Sequence, residues 1–221
     1  ARKLGYTSEA LKAVNEEAVD LLVGLRGAYE RPEQPIVISG AIGPRGDGYK
    51  AGSMEAAEAE DYHAFQIGTF AGTEADMVSA FTLTNIDEAI GVARAAQSLG
   101  MPSAISFTLE TDGRLVTGRS IQDAIETTDA ATGGAPAYYM INCAHPTHFE
   151  TALDPGSAWV KRISGIRANA STMSHEQLDN SETLDAGDPE DLGRRYRKLI
   201  DRMPAVRVLG GCCGTDHRDV A

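Results

Sequence analysis

Two of the three cysteines in this 221-residue chain stand side by side, in Gly210-Gly211-Cys212-Cys213-Gly214, and the third, Cys143, lies in INCAHP at 141–146. Each cysteine segment follows a short run of strand-forming residues. In a parallel sheet the C-terminal strand ends gather on one rim, where α/β proteins bind their ligands. Three thiolates converging there make a soft donor set suited to four-coordinate zinc with one position open, which is the arrangement of a catalytic site. The flanking glycines matter because side chains of an extended strand alternate between faces. Two adjacent cysteines can face one ion only where the backbone turns. The plain alternative is that free cysteines pack as small hydrophobes. A mixed site that recruits His145, His148 or His217 is chemically open, and so is a vicinal redox pair, although no CxxC motif supports the latter.

Six apolar runs could position these residues: 35–44 (PIVISGAIGP), 75–83, 102–109, 137–145 (AYYMINCAH), 165–171 (GIRANAS) and 206–214 (VRVLGGCCG). Their length and β-forming composition suit strands buried on both faces. Helical patterns lie between them. Asn85 caps a helix with Glu88 three residues on, and Ile86, Ala89, Ile90 and Ala93 form its apolar face. Ser120 starts another helix, and Asp188 with Pro189 a third. An earlier helix carries Leu11, Val14, Ala18, Leu21 and Leu25 on one side. Alternating strands and helices imply parallel pairing through crossovers, as an open doubly wound sheet or a (β/α)8 barrel. The strand count favours the first, and the polar residues at nearly every strand end favour the second.

Composition narrows the function. Thirty-two acidic residues against twenty basic ones give a formal charge of -12, the wrong sign for nucleic acid or an anionic membrane surface. No apolar run is long enough to span a bilayer. Three cysteines, two of them adjacent, make a poor disulfide framework, so we expect a reduced, cytoplasmic protein. With no repeat and no linker, residues 1–221 read as one domain.

The segments INCAHP and LGGCCGTDHR (209–218) together resemble the homocysteine S-methyltransferase family, and SGAIGPRGDGY (39–49), GIRANAS and LDAGDP (184–189) extend the likeness along the chain. The resemblance implies an α/β TIM barrel whose Cys143, Cys212 and Cys213 hold Zn2+, with the thiol of homocysteine in the fourth position. It implies two small-molecule partners, a homocysteine-like thiol and a sulfonium or quaternary ammonium methyl donor, and it allows a homo-oligomer. Against the family pattern, the first two barrel strands are absent and the last helix is short. Residues 1–221 are therefore expected to be a domain incomplete at its N-terminus. In DMVSAFTLTNIDEA (76–89), Phe81 stands where many members carry a Glu expected to hold the homocysteine ammonium.

Thr82, Thr108, Asn142 and Asn169 stand at strand ends and are the candidate substrate-binding residues, with strand-end capping as the plain alternative. The glycine-rich GAIGPRGDGY lacks GxxxxGK[ST] and reads as a rim loop from which Asp47 and Tyr49 could face the donor. The leading expectation is a zinc-dependent thiol methyltransferase. The competing one is a noncatalytic member of the same fold that binds a metal or a thiol.

Overall fold

The computed structural model describes residues 2–220. The six apolar runs form β1 (Ser39–Ile42), β2 (Met77–Leu83), β3 (Ser103–Phe107), β4 (Tyr138–Asn142), β5 (Ile163–Ala168) and β6 (Val208–Gly211). All pairings are parallel and follow chain order strictly. A doubly wound sheet reverses its order at a switch point, so this alternative is excluded. The strands form a parallel half-barrel, the architecture of a partial TIM barrel, and β1 and β6 are its edges among the described residues.

Helices α1 (Ser8–Tyr29), α2 (Ala56–Ala71), α3 (Ile86–Ser98), α4 (Ile121–Thr132), α5 (Pro146–Phe149), α6 (His175–Asp179), α7 (Pro189–Arg202) and α8 (His217–Val220) complete the chain. The sheet alternates strictly enough to sort its side chains. Val78, Ala80, Ile105, Phe107, Tyr139, Ile141, Ile166 and Ala168 are buried in the apolar core. Ser79, Phe81, Ser106, Met140, Asn142 and Arg167 occupy the alternate, concave face. At the end of β2 the register with β3 shifts between Ala80 and Leu83, and Thr82 takes a left-handed φ of 59°. The shift re-aims this strand end. On the outer layer α3 lies so close to α2 that a Cβ on Gly91 would come within 2.4 Å of the Ala59 Cβ. A side chain at Gly91 would push the two helices apart.

Two local expectations need correction. Asn85 does cap α3, accepting from the N–H groups of Asp87 and Glu88, but the Glu88 carboxylate does not return to the cap. Instead it is buried and accepts from the Arg45 N–H at 2.7 Å, beside His63 Nε2 at 2.9 Å. Two partners outside the helix outbid the local bond. In α1 the buried residue is Val19, while Val14, Leu21 and Leu25 are exposed. The helix turns Asn15 and Val19 inward, and Asn15 accepts a bond from Gln66 of α2. This contact, rather than the apolar stripe, sets its rotation. Ser120 and Asp188 cap α4 and α7 as the sequence predicts.

Candidate metal centre

Cys143 directly follows β4, and Cys212 and Cys213 directly follow β6, two strands away. All three thiols are free, and their sulfur atoms lie within 4.8 Å of one another. Tetrahedral zinc with bonds of about 2.3 Å would place its sulfur ligands about 3.8 Å apart. The donor set therefore fits one such ion with little movement. No histidine belongs to this cluster among the described residues. His145 is buried and bonds Thr147 Oγ1, His148 reaches the Thr172 carbonyl, and the His217 side chain is exposed. Burial and the nearby Arg195 cation push the His145 pKa down to about 4, so at neutral pH it is an uncharged cap for α5.

The backbone around the cysteines is strained and then braced. Cys143 adopts a left-handed φ of 53°, a conformation that costs a non-glycine residue energy unless its surroundings impose it. Its N–H donates to the Arg167 carbonyl at 3.1 Å. Its carbonyl accepts from three side chains: Thr108 Oγ1 at 3.4 Å, Asn169 Nδ2 at 3.1 Å and His175 Nε2 at 2.6 Å. His175 Nδ1 in turn lies 3.0 Å from Glu110 Oε1. Asn169 also serves the other cysteine segment, because its Oδ1 accepts from the Cys213 N–H at 3.1 Å. One buried amide thus ties the two cysteine segments together.

The turn after β6 is fixed in the same way. The Cys212 N–H donates to the Ala168 carbonyl at 2.8 Å, and the Cys212 carbonyl accepts from Thr215 Oγ1 at 2.6 Å. Gly214 follows with φ of 79°, and a Cβ there would lie 2.9 Å from the Asp185 carbonyl. Beneath it Tyr196 accepts from the Ala168 N–H at 2.8 Å and donates to the Gly210 carbonyl at 2.5 Å, pinning β6 to β5.

Electrostatics follow from the crowding of sulfur. Hydrogen bonds from Cys212 and Cys213 hold the Cys143 thiol well below its ordinary pKa, and the same contacts push Cys212 and Cys213 up. Without a cation the cluster accommodates one thiolate and resists a second. Tyr49, from the glycine-rich rim loop, lies beside Cys143. Burial, then its bond to that thiol, raises the phenol pKa, so Tyr49 stays a hydrogen-bond donor. Its ring centroid lies 4.4 Å from that of His175, with the two rings tilted by 42°. A cavity of about 400 Å³ opens beside the cysteines, lined by Tyr49, Asn169, His175, Asp185, Cys213 and Gly214.

The four residues expected to bind substrate all reach this neighbourhood. Thr82 Oγ1 lies 4.0 Å from the Cys143 sulfur and accepts from Asn142 Nδ2 at 2.9 Å. Asn142 Oδ1 accepts from the Thr82 N–H and from Ser106 Oγ. Asp47 stays on the exposed rim, where it pairs with Lys50. His175 was not singled out by sequence, since nothing in MSHEQ distinguishes it from a solvated loop histidine. Its position over the Cys143 carbonyl exists only in three dimensions.

These features define a cluster of three free thiols that could hold a metal ion, at the rim of a parallel α/β half-barrel. The sequence profile of the homocysteine S-methyltransferase family matches residues 1–221, and the chain belongs to that enzyme family. No curated protein sequence matches it significantly. Among solved structures, the homocysteine methyltransferase MmuM from Escherichia coli is similar in its metallated form, with a TM-score of 0.72 and 19% identity over 99% of this chain and 72% of that one. Its apo form gives 0.72 at 20% identity over 98% and 74%, and its oxidised form 0.73 at 20% over 99% and 72%. At this identity the likeness speaks for the fold.

Proposed function

We propose that Cys143, Cys212 and Cys213 hold one Zn2+ ion, and that the chain moves a methyl group from a sulfonium or quaternary ammonium donor to the thiol of homocysteine or a close analogue. The observation that carries this reading is the meeting of three free thiols from two strand ends, with sulfurs within 4.8 Å, in a chain of this family. Held by these three thiols, zinc would supply a Lewis acid that lowers the pKa of an acceptor thiol and so favours its thiolate.

The chain's own residues do the positioning. Asn169, Thr108 and His175 fix the Cys143 carbonyl, and Asn169 sets the Cys213 segment at the matching distance. Thr82 and Asn142 border the acceptor beside the Cys143 sulfur. Tyr49 offers a protonated phenol on the cavity side, where it orients a polar group of either substrate. In the transfer, the acceptor's sulfur forms the new S–CH3 bond as the donor's bond to that methyl breaks. The donor leaves as a neutral thioether or amine, and the thiol proton passes to solvent. Alignment of the two substrates in line is the protein's main catalytic contribution.

Metal analysis of the protein purified under reducing conditions tests the reading. One zinc per chain, with marked loss in Cys143→Ser, is the expected result, followed by methyl transfer on a donor screen. Zinc retained in full by Cys143→Ser would overturn the shared site. Zinc with no transfer from any sulfonium or ammonium donor would favour the noncatalytic reading, which the Phe81 departure motivates.

A further inference from the structure

Arg167 is the only charged residue in the six strands. It lies on the concave face of β5, paired in register with Asn142 on one side and Gly210 on the other. Its backbone carbonyl accepts from the Cys143 N–H, and its Nε donates to the Gly211 carbonyl at 3.3 Å, one residue before Cys212. The stem passes over bare backbone, since a Cβ on Gly210 would sit 3.3 Å from the Arg167 Cγ. The guanidinium carbon lies 4.7 Å from the centroid of the Phe81 ring.

This arrangement gives the cation one covered face and an open edge. The ring covers a face, and Nε makes the one side-chain hydrogen bond of Arg167 found among the described residues, leaving both Nη atoms without a carboxylate or carbonyl. Stacking of this kind fixes the plane of a guanidinium, so its remaining N–H groups are presented as a rigid fork that matches a carboxylate. None of the six strands carries an acidic residue to receive an ammonium group, and the one charge they place on the concave face is positive.

We infer that Arg167, stacked on Phe81, receives a carboxylate of the thiol acceptor, and that the acceptor class is a mercapto acid for which an α-ammonium group is dispensable. This rests on the proposed zinc-thiol reading and adds to it the part of the acceptor that is recognised.

Calorimetric titration of the zinc-loaded protein with three thiols tests the inference. Homocysteine carries both charged groups, 4-mercaptobutanoate only the carboxylate, and 3-aminopropanethiol only the ammonium. A charge-assisted bond of the usual strength corresponds to about tenfold to a hundredfold in affinity. The expected order has 4-mercaptobutanoate binding within about threefold of homocysteine, and the aminothiol weaker by about tenfold or more. In Arg167→Met the carboxylate advantage collapses, with the aminothiol unchanged. In Phe81→Glu the new acid pairs with Arg167 and the preference shifts toward the aminothiol.

Homocysteine binding about tenfold tighter than 4-mercaptobutanoate overturns the inference while leaving the zinc-thiol reading intact. So does an Arg167→Met variant that weakens all three thiols equally, because the cation would then only offset thiolate charge. If none of the three thiols binds zinc-loaded protein, the proposed function itself fails and the inference fails with it.

Discussion

The rim between β4 and β6 and the opposite flank built from α1 and β1 are held by different means. At the rim, buried polar groups meet partners: the Cys143 carbonyl takes three donors, and Asn169 and Tyr196 each bridge two backbone segments. On the flank, α1 buries Val19 alone while Leu21 is 67% exposed and Val37, just before β1, is 64% exposed. The contrast shows where the sequence has spent its specificity. A strained cysteine needs a surrounding network that permits one conformation, whereas a helix on a few side-chain contacts tolerates alternatives.

The contrast can be broken in order of expected effect. Cys212→Ala removes a metal donor, so zinc affinity falls by more than the tenfold to hundredfold typical of a change outside the ligand shell, with the fold's circular dichroism unchanged. Competition with a chromophoric chelator reads this directly. Asn169→Ala removes one of the three donors to the Cys143 carbonyl and the acceptor of the Cys213 N–H together, at a cost of about 1 to 2 kcal/mol in urea unfolding and a tenfold to hundredfold loss of zinc affinity. Unchanged zinc affinity in that variant would show that the two cysteine segments are registered by something else.

Zinc loading provides a third check on the rim. Cys143 is held as a thiolate and the other two thiols are pushed toward their protonated forms, so binding displaces about two protons and affinity rises with pH. A pH-indicator titration counts them, and three protons would mean that Cys143 is not ionised beforehand. Tyr196→Phe deletes the hydroxyl between β5 and β6, a loss of about 1 kcal/mol in stability. Leu21→Lys on the flank is the smallest change, within about 0.5 kcal/mol of the parent in the same unfolding assay. A large destabilisation by Leu21→Lys would show that the α1 stripe is packed in solution and would erase the difference between the regions.

Much of the rim could be read from local pattern. A run of β-formers ending in small or polar residues marks a strand and its end, and GGCCG marks a turn because glycine alone relieves the steric limits on such a backbone. The caps at Asn85, Ser120 and Asp188 were equally legible, since a cap is an interaction over three residues. The α1 stripe misled for the converse reason. Periodicity reports which face is apolar, and only a neighbour decides which face is covered. Glu88 misled likewise, its carboxylate being claimed by Arg45 and His63 from elsewhere in the chain.

By itself the sequence determined the alternation of strands and helices, the positions of the three thiols at strand ends and the family, because these depend on residue types at short spacing. The tertiary structure alone decided that the strands pair in chain order, that three sulfurs meet, that His175 and Asn169 hold the Cys143 carbonyl, and that Arg167 stacks on Phe81. Each of these joins residues far apart in the chain, through contacts whose energy exists only once the sheet has curved and brought its strand ends to one rim.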